Sequence, residues 1–110
     1  MPDDPFTAEG LRVAEQALLE AFPDREAVSS EEGGVLFDRY SRYLGECFVR
    51  KLGGTWVNVP PDGAGDTGYL GVQLPTSDIP LRIDGLVLAA ITRRTGRVWA
   101  PVFQLSLIHI

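Results

Sequence analysis

The hydrophobic pattern of the chain changes at residues 51–59, which read Lys51-Leu-Gly-Gly-Thr-Trp-Val-Asn-Val59. Before the two glycines, apolar side chains recur at helical spacing, and after them apolar and polar side chains alternate as in a strand. Gly53 and Gly54 supply the positive φ that ends a helix. A helix therefore turns directly into a strand here, which predicts a domain that combines helices with a sheet.

Two amphipathic helices are predicted before this turn. Residues 6–22 carry one apolar stripe. The polar side chains expected to face outward from this helix are Arg12, Glu15, Gln16 and Glu20. In the second helix, Ser29 and Glu32 have the spacing of a capping box, whereas Gly33-Gly34 would weaken the first turn and favour a start near Val35.

A hairpin and a third helix are predicted after the turn. Residues 55–59 and 69–74 alternate like two paired strands. The stretch between them is rich in Pro, Gly and Asp, which is a loop composition. Asp84 is expected to cap the third helix, and Gly96 is expected to close it.

Residues 98–103 predict a last strand, and Pro101 within it favours an edge position because proline cannot donate to a neighbouring strand. The expected order is helix, helix, strand, strand, helix, strand. The predicted fold class is α+β, with the helices packed on one face of a small antiparallel sheet.

The final hexapeptide, residues 105–110, reads Leu-Ser-Leu-Ile-His-Ile and resembles a translated sequencing adapter. We therefore expect natural sequence to stop after Gln104, which leaves the fold truncated at its C-terminal end. The expected organisation is a disordered segment over residues 1–5, a single domain over residues 6–104 and an adapter-derived tail. His109, the single histidine, carries no functional weight on this interpretation.

The composition predicts a protein partner. The formal net charge is −5 and the isoelectric point is about 4.7. An acidic surface repels phosphate, so we expect no nucleic acid and favour a basic protein. The single cysteine cannot form an internal disulfide, and no apolar run is long enough to span a bilayer. We therefore expect a cytoplasmic protein with no membrane partner.

The loop over residues 60–68 contains three patterns that resemble functional motifs. Residues 63–68 match a dinucleotide-binding glycine pattern, but a strand-like segment follows where that motif requires a helix. Asp66-Thr-Gly spells the aspartic-protease triplet, yet flexible glycines precede it instead of a strand. Asp62 and Asp66 lack the further oxygen ligands of a calcium loop. We expect a hairpin loop without cofactor or metal.

Other reactive side chains are also expected to be structural. Cys47 falls on the apolar stripe of the second helix, and cysteine catalysis needs a base that the chain does not supply. One cysteine without a reliable histidine cannot build a zinc site. The basic cluster of Arg93, Arg94 and Arg97 is expected to be a solvated helix end rather than a phosphate site. We expect no catalytic, cofactor-binding or metal-binding residue.

Tyr43-Leu-Gly45-Glu46, the Gly53-Gly54 turn and Trp56 together resemble a group of uncharacterised bacterial domains. These domains carry a Tyr-x-Gly-Glu helix, a Gly-Gly turn and a Gly-x-Trp strand, and the resemblance covers roughly residues 36–91. It implies a fold and no activity. The expected signature or interaction positions are Tyr43, Gly45, Glu46, Trp56 and Trp99.

These observations favour a non-enzymatic protein-interaction module, immunity-like or chaperone-like toward a basic effector. The open edge of the sheet would add a strand from the partner. The alternative is an enzyme or ligand-binding domain whose site is completed by the missing C-terminus or a second domain, for example a hydrolase that uses Glu46 or Asp66. A homodimer through an exposed strand around Trp99 is a third possibility.

Overall fold

The computed structural model describes residues 4–60 and 69–108, without the side chains of residues 107 and 108. In chain order, its elements are α1 (Ala8–Ala21), a 3-10 turn (Arg25–Ser29), α2 (Glu31–Leu52), β1 (Thr55–Val59), β2 (Tyr69–Gln73), β3 (Leu81–Arg82), α3 (Ile83–Arg93) and α4 (Trp99–Ile108). The predicted α+β class is confirmed, and the predicted elements from the first helix to the third follow in the expected order, with the short strand β3 added before α3.

Polar side chains and one glycine define the ends of the first two helices. The Thr7 hydroxyl accepts the N–H of Gly10 at 3.1 Å and begins α1. Ser30, not Ser29, caps α2 by accepting the N–H of Gly33 at 2.9 Å. The start predicted near Val35 is therefore also wrong. Gly53 ends α2 with φ of +70°, as predicted.

The antiparallel sheet has the strand order β1-β2-β3. Trp56 on β1 is opposite Val72 on β2, and Val72 is also opposite Leu81 on β3. β3 has two residues and leads directly into α3, and its brevity explains why no periodicity announced it. Asp84 lies in the first turn of α3 rather than capping it. α2 and α3 pack on β2, whose Val72 is fully buried.

The strand predicted over residues 98–103 is wrong, because residues 99–103 form the first half of α4. Pro101 lies in the first turn of that helix. The first backbone N–H groups of a helix have no partner within the helix, so proline removes nothing there. The proline that suggested a sheet edge is equally compatible with a helix start, and tertiary packing decides between them.

The core collects the apolar faces of all four helices around the inner face of the sheet. α1 packs mainly against α4. The largest fully buried apolar side chains include Leu11, Leu18, Phe22, Leu44, Phe48 and Trp99. Trp99 donates its indole N–H to the carbonyl of Leu86 at 3.0 Å, which ties α4 to α3.

Glu15 does not face outward as predicted. Its side chain is fully buried, and its carboxylate accepts the backbone N–H groups of Val98 at 3.0 Å and Trp99 at 2.8 Å. These two groups lie at the start of α4, where a helix leaves its N–H groups unpaired. A carboxylate on the first helix therefore caps the last one and is favoured by the positive end of its dipole.

Arg94 makes the converse contact at the end of α1. Its guanidinium donates to the carbonyls of Leu19 at 2.8 Å and Phe22 at 2.7 Å. A cation at these carbonyls complements the negative end of the helix dipole. Of the basic cluster predicted to be a solvated helix end, Arg94 is therefore a structural cap. Its backbone is left-handed, with φ of +56°.

Candidate functional site

Gly45 and Trp56 form the centre of the signature that the sequence singled out. A Cβ built on Gly45 would lie 2.0 Å from Cη2 of the Trp56 indole. No side chain other than hydrogen fits at position 45, so the glycine lets the six-membered ring of the Trp56 indole on β1 approach the backbone of α2.

Glu46 holds the same indole by its edge. Its Oε1 accepts the N–H of Trp56 at 3.0 Å, and its Oε2 accepts Nε of Arg50 at 3.0 Å. These hydrogen bonds, the one from Trp56 first, lower the pKa of Glu46. Both oxygens of this ionised carboxylate accept hydrogen bonds, so its role is to fix the position of the Trp56 indole. The ionisable side chain bound to it, Arg50, stays charged and cannot exchange a proton with a substrate.

Tyr43 ties the start of the chain to α2. Its hydroxyl donates to the carbonyl of Pro5 at 2.5 Å, and its ring stacks on Phe6 at 5.9 Å. Burial raises the pKa of Tyr43 well above its ordinary value. Asp4 accepts from Lys51 at 2.5 Å nearby. Asp4 and Pro5, placed in a disordered segment by the sequence, thus contact α2, while residues 1–3 lie outside the described residues.

Cys47 is buried in the core, as its position on the apolar stripe predicted. Burial raises the pKa of the Cys47 thiol to about 11. A thiol with this pKa is protonated at neutral pH and is a poor nucleophile. Within residues 4–60 and 69–108, no group of acidic, cysteine and histidine side chains is arranged to hold a metal ion.

Trp99 lies inside the molecule, with no exposed side-chain area. It stands 6.3 Å from the ring of Tyr40, measured between ring centroids. The exposed strand around Trp99 that would have formed a homodimer does not exist, because the segment is helical and its tryptophan is buried. Trp99 is a core residue and not an interaction position.

The loop motifs lie outside the described residues. The dinucleotide-like pattern over residues 63–68, the Asp66-Thr-Gly triplet and the Asp62 and Asp66 pair are all in the gap between β1 and β2. His109 also lies outside. The predictions made for these positions stay predictions.

An apolar groove opens between α1 and α2 and was not foreseen as a site. It has a cavity volume of about 300 Å³. Its lining residues are Pro5, Gly10, Val13, Ala14, Ala17, Leu36, Arg39, Tyr40 and Tyr43. Val13 keeps 47% of its surface exposed. The sequence carried one signal for this groove, because the apolar face of α1 is broader than a single helix contact requires.

The groove continues toward the start of α2, where Leu36 and Arg39 also line a second hollow. Glu31, Glu32 and Val35 complete that hollow, and Val35 is 54% exposed. We call the two hollows together the α1–α2 groove. It combines exposed apolar side chains with carboxylates at one end.

β1 is an edge strand of the described sheet, because its one described neighbour is β2. The five residues of β1 therefore offer an unpaired row of backbone groups among the residues that the structure describes. This edge is the place where a partner strand was expected to add. It is short, and Pro60 follows it directly.

Comparison with known proteins gives no relative: no protein-family model, curated protein or solved structure matches this chain. The resemblance to the bacterial domains with a Tyr-x-Gly-Glu helix stays a prediction. Among the described helices, none has the length and apolar character to cross a bilayer.

Proposed function

We propose that this chain is a non-enzymatic protein-interaction module of the cytoplasm, which binds a segment of another protein in the α1–α2 groove. The observation that carries the proposal is the apolar floor of this groove together with the exposed Val13 and Val35 on its walls. Contiguous apolar surface rimmed by polar residues marks interaction sites in soluble proteins. The size and acidic charge of the chain favour an immunity-like or chaperone-like role toward a basic effector.

The contacts of three ionisable side chains support binding over catalysis. Glu46 accepts from Trp56 and Arg50, and Glu15 caps α4. Cys47 is buried with a raised pKa. A general acid or base must reach a reacting group, and a nucleophile needs a base beside it. The contacts of these three side chains therefore stabilise the fold and do not prepare a reaction.

The test is affinity capture followed by titration with purified components. The protein serves as bait beside a double variant, Val13→Ser and Val35→Ser, and a matched variant, Leu70→Ser and Ile79→Ser, which changes exposed apolar residues outside the groove. We expect a captured protein to bind the purified wild-type chain directly in calorimetry. The proposal fails if no captured protein titrates at any salt concentration.

A ligand-binding domain is the second candidate, because a cavity of about 300 Å³ falls within the size range of small-molecule sites. Arg39 on its wall would pair with a carboxylate on an apolar ligand. A thermal-shift screen with short-chain fatty acids tests this candidate. Stabilisation by these acids that disappears in an Arg39→Gln variant would favour it over the interaction module.

A further inference from the structure

The α1–α2 groove has the shape of a trough between two helices. On the α1 wall, small side chains recur at helical spacing, namely Gly10, Ala14 and Ala17. On the α2 wall, larger side chains recur at the same spacing, namely Leu36, Tyr40 and Tyr43. Ala14 and Ala17 leave room beside Leu36 and Tyr40, whereas the Gly10 end is closed by the backbone of Pro5 and the hydroxyl of Tyr43. An apolar helix stripe with i, i+3, i+4 and i+7 anchors fits such a trough.

The charges at the groove select the polar face of its occupant. Glu31 and Glu32 line one end of it. Glu20 lies close enough to Tyr40 that its charge adds to burial in raising the tyrosine pKa. Arg39 is the one cation among the described lining residues of the groove. Acidic groups therefore outnumber basic ones here, which complements a basic partner.

A second copy of the chain is a poor occupant for the same reason. Each copy carries a net charge of −5, so two grooves facing each other would bring Glu31 and Glu32 against a surface of like charge. An extended strand would gain little, because both walls of the groove are helices whose backbone groups are already paired internally.

We propose that the α1–α2 groove binds a basic amphipathic helix of a partner protein, with the apolar face of that helix on Val13, Leu36 and Val35 and its basic residues toward Glu31 and Glu32. This inference rests on the proposed function and names the partner class of the same site.

Synthetic peptides test the inference without a known partner. Three fluorescein-labelled peptides of about 16 residues are compared, which is long enough for helix to form on binding. One has a leucine face and a lysine face, the second replaces the lysines by glutamates, and the third scrambles the first. We expect the amphipathic lysine peptide to bind about tenfold more tightly than either other peptide in anisotropy titrations, and to gain helical circular dichroism.

Matched variants place the binding in the groove. We expect the double variant Val13→Ser and Val35→Ser to reduce the affinity for the lysine peptide about tenfold. The double variant Leu70→Ser and Ile79→Ser, with exposed apolar residues outside the groove, is expected to leave its affinity within about twofold. Equal binding of the lysine peptide and its scrambled form, or equal loss in both double variants, overturns the inference.

Neutralising the acidic end tests the charge argument separately. We expect Glu31→Gln with Glu32→Gln to reduce the affinity for the lysine peptide about fivefold at low salt. The difference in affinity from the wild-type chain should shrink as salt rises. The pair Glu26→Gln and Asp78→Asn makes the same change in net charge away from the groove lining, and we expect little effect. Equal effects of the two pairs would show attraction to net charge alone and overturn the assignment of the groove.

The outcomes separate this inference from the proposed function. One outcome is a captured protein that binds the chain with an affinity that Val13→Ser and Val35→Ser do not change. That result contradicts the groove as the binding site but keeps the proposal of an interaction module. Loss of its binding in that variant, with a basic helix mapped as the bound segment, supports both. Failure of every captured protein and of the lysine peptide overturns both.

Discussion

The indole of Trp56 occupies the space in which a side chain at Gly45 would stand, with 2.0 Å between its Cη2 and an ideal Cβ. Glu46, the next residue of α2, accepts the N–H of the same indole at 3.0 Å. The glycine and the glutamate therefore act together on one aromatic ring, one by its absence of a side chain and the other by its carboxylate. Both residues can contact one indole because its six-membered ring lies at Gly45 while its N–H reaches the neighbouring Glu46.

Gly45→Ala should destabilise the protein by about 1–3 kcal/mol, because the added methyl group forces the Trp56 ring out of its place. Gly34→Ala is the matched control in the same helix, since nothing lies within 4 Å of its ideal Cβ. That variant should gain about 0.5 kcal/mol or more from the helix propensity of alanine. Urea unfolding measures both, and changes of the same sign would contradict the close approach.

Arg94→Ala should lower the free energy of unfolding by about 1–2 kcal/mol, because it removes the donors to the carbonyls of Leu19 and Phe22. The alanine still has to adopt the left-handed backbone at position 94. Arg94→Gly removes the same donors but relieves the φ of +56°, so it should be more stable than the alanine variant by about 1 kcal/mol. The neighbouring Arg93→Ala should stay within about 0.5 kcal/mol. Thermal unfolding that ranks alanine above glycine at position 94 would refute the strain argument.

The stability of the protein should fall below about pH 4.3, partly through Glu46, whose folded-state pKa is lowered by Trp56 and Arg50. A lowered pKa means that the unfolded chain binds the proton first as pH falls. The stabilisation is therefore complete above the ordinary pKa of glutamate and is lost as pH falls through the folded-state pKa.

Glu46→Gln keeps an acceptor for the Trp56 N–H but cannot titrate, so its urea midpoint should change less than that of the wild-type protein between about pH 5 and pH 3. Trp56→Phe removes the chief cause of the lowered pKa and should flatten the same slope. If the urea midpoints of both variants fall with pH as steeply as that of the wild-type protein, Glu46 contributes nothing to the loss of stability in acid.

Cys47 should resist thiol reagents in the folded protein, because it is fully buried and its pKa is about 11. At about pH 8, we expect a chromogenic disulfide reagent to label it slowly in buffer and completely within the mixing time in concentrated urea. The labelling rate in buffer then reports opening of the core. Immediate stoichiometric labelling of the folded chain would mean that the thiol is exposed.

The elements with long periodic patterns were predictable from the sequence. The apolar stripes of α1 and α2, the Gly53 helix end and the β1–β2 hairpin all rest on local chemistry, and the structure confirms them. The role of Gly45 was not decided by the sequence, because a mid-helix glycine fits a close approach of another segment as well as a bare helix surface.

Other features depend on partners that are distant in sequence. Residues 98–103 alternate and contain proline, so a strand was a sound local interpretation, and packing of Trp99 against Tyr40 and Leu86 overrides it. Glu15 lies on what a helical projection gives as the polar face of α1. Its burial follows from backbone groups more than 80 positions away, and no local pattern announces them.

The cap from Glu15 to the start of α4 links the first and last helices energetically. If α4 detached while α1 stayed in place, a carboxylate would remain in apolar surroundings without its N–H partners, which is costly. The two helices should therefore open as one cooperative unit rather than fray separately. Native-state hydrogen exchange should give the central amides of α1 and α4 a common opening free energy, and an intermediate with α4 melted alone should not accumulate.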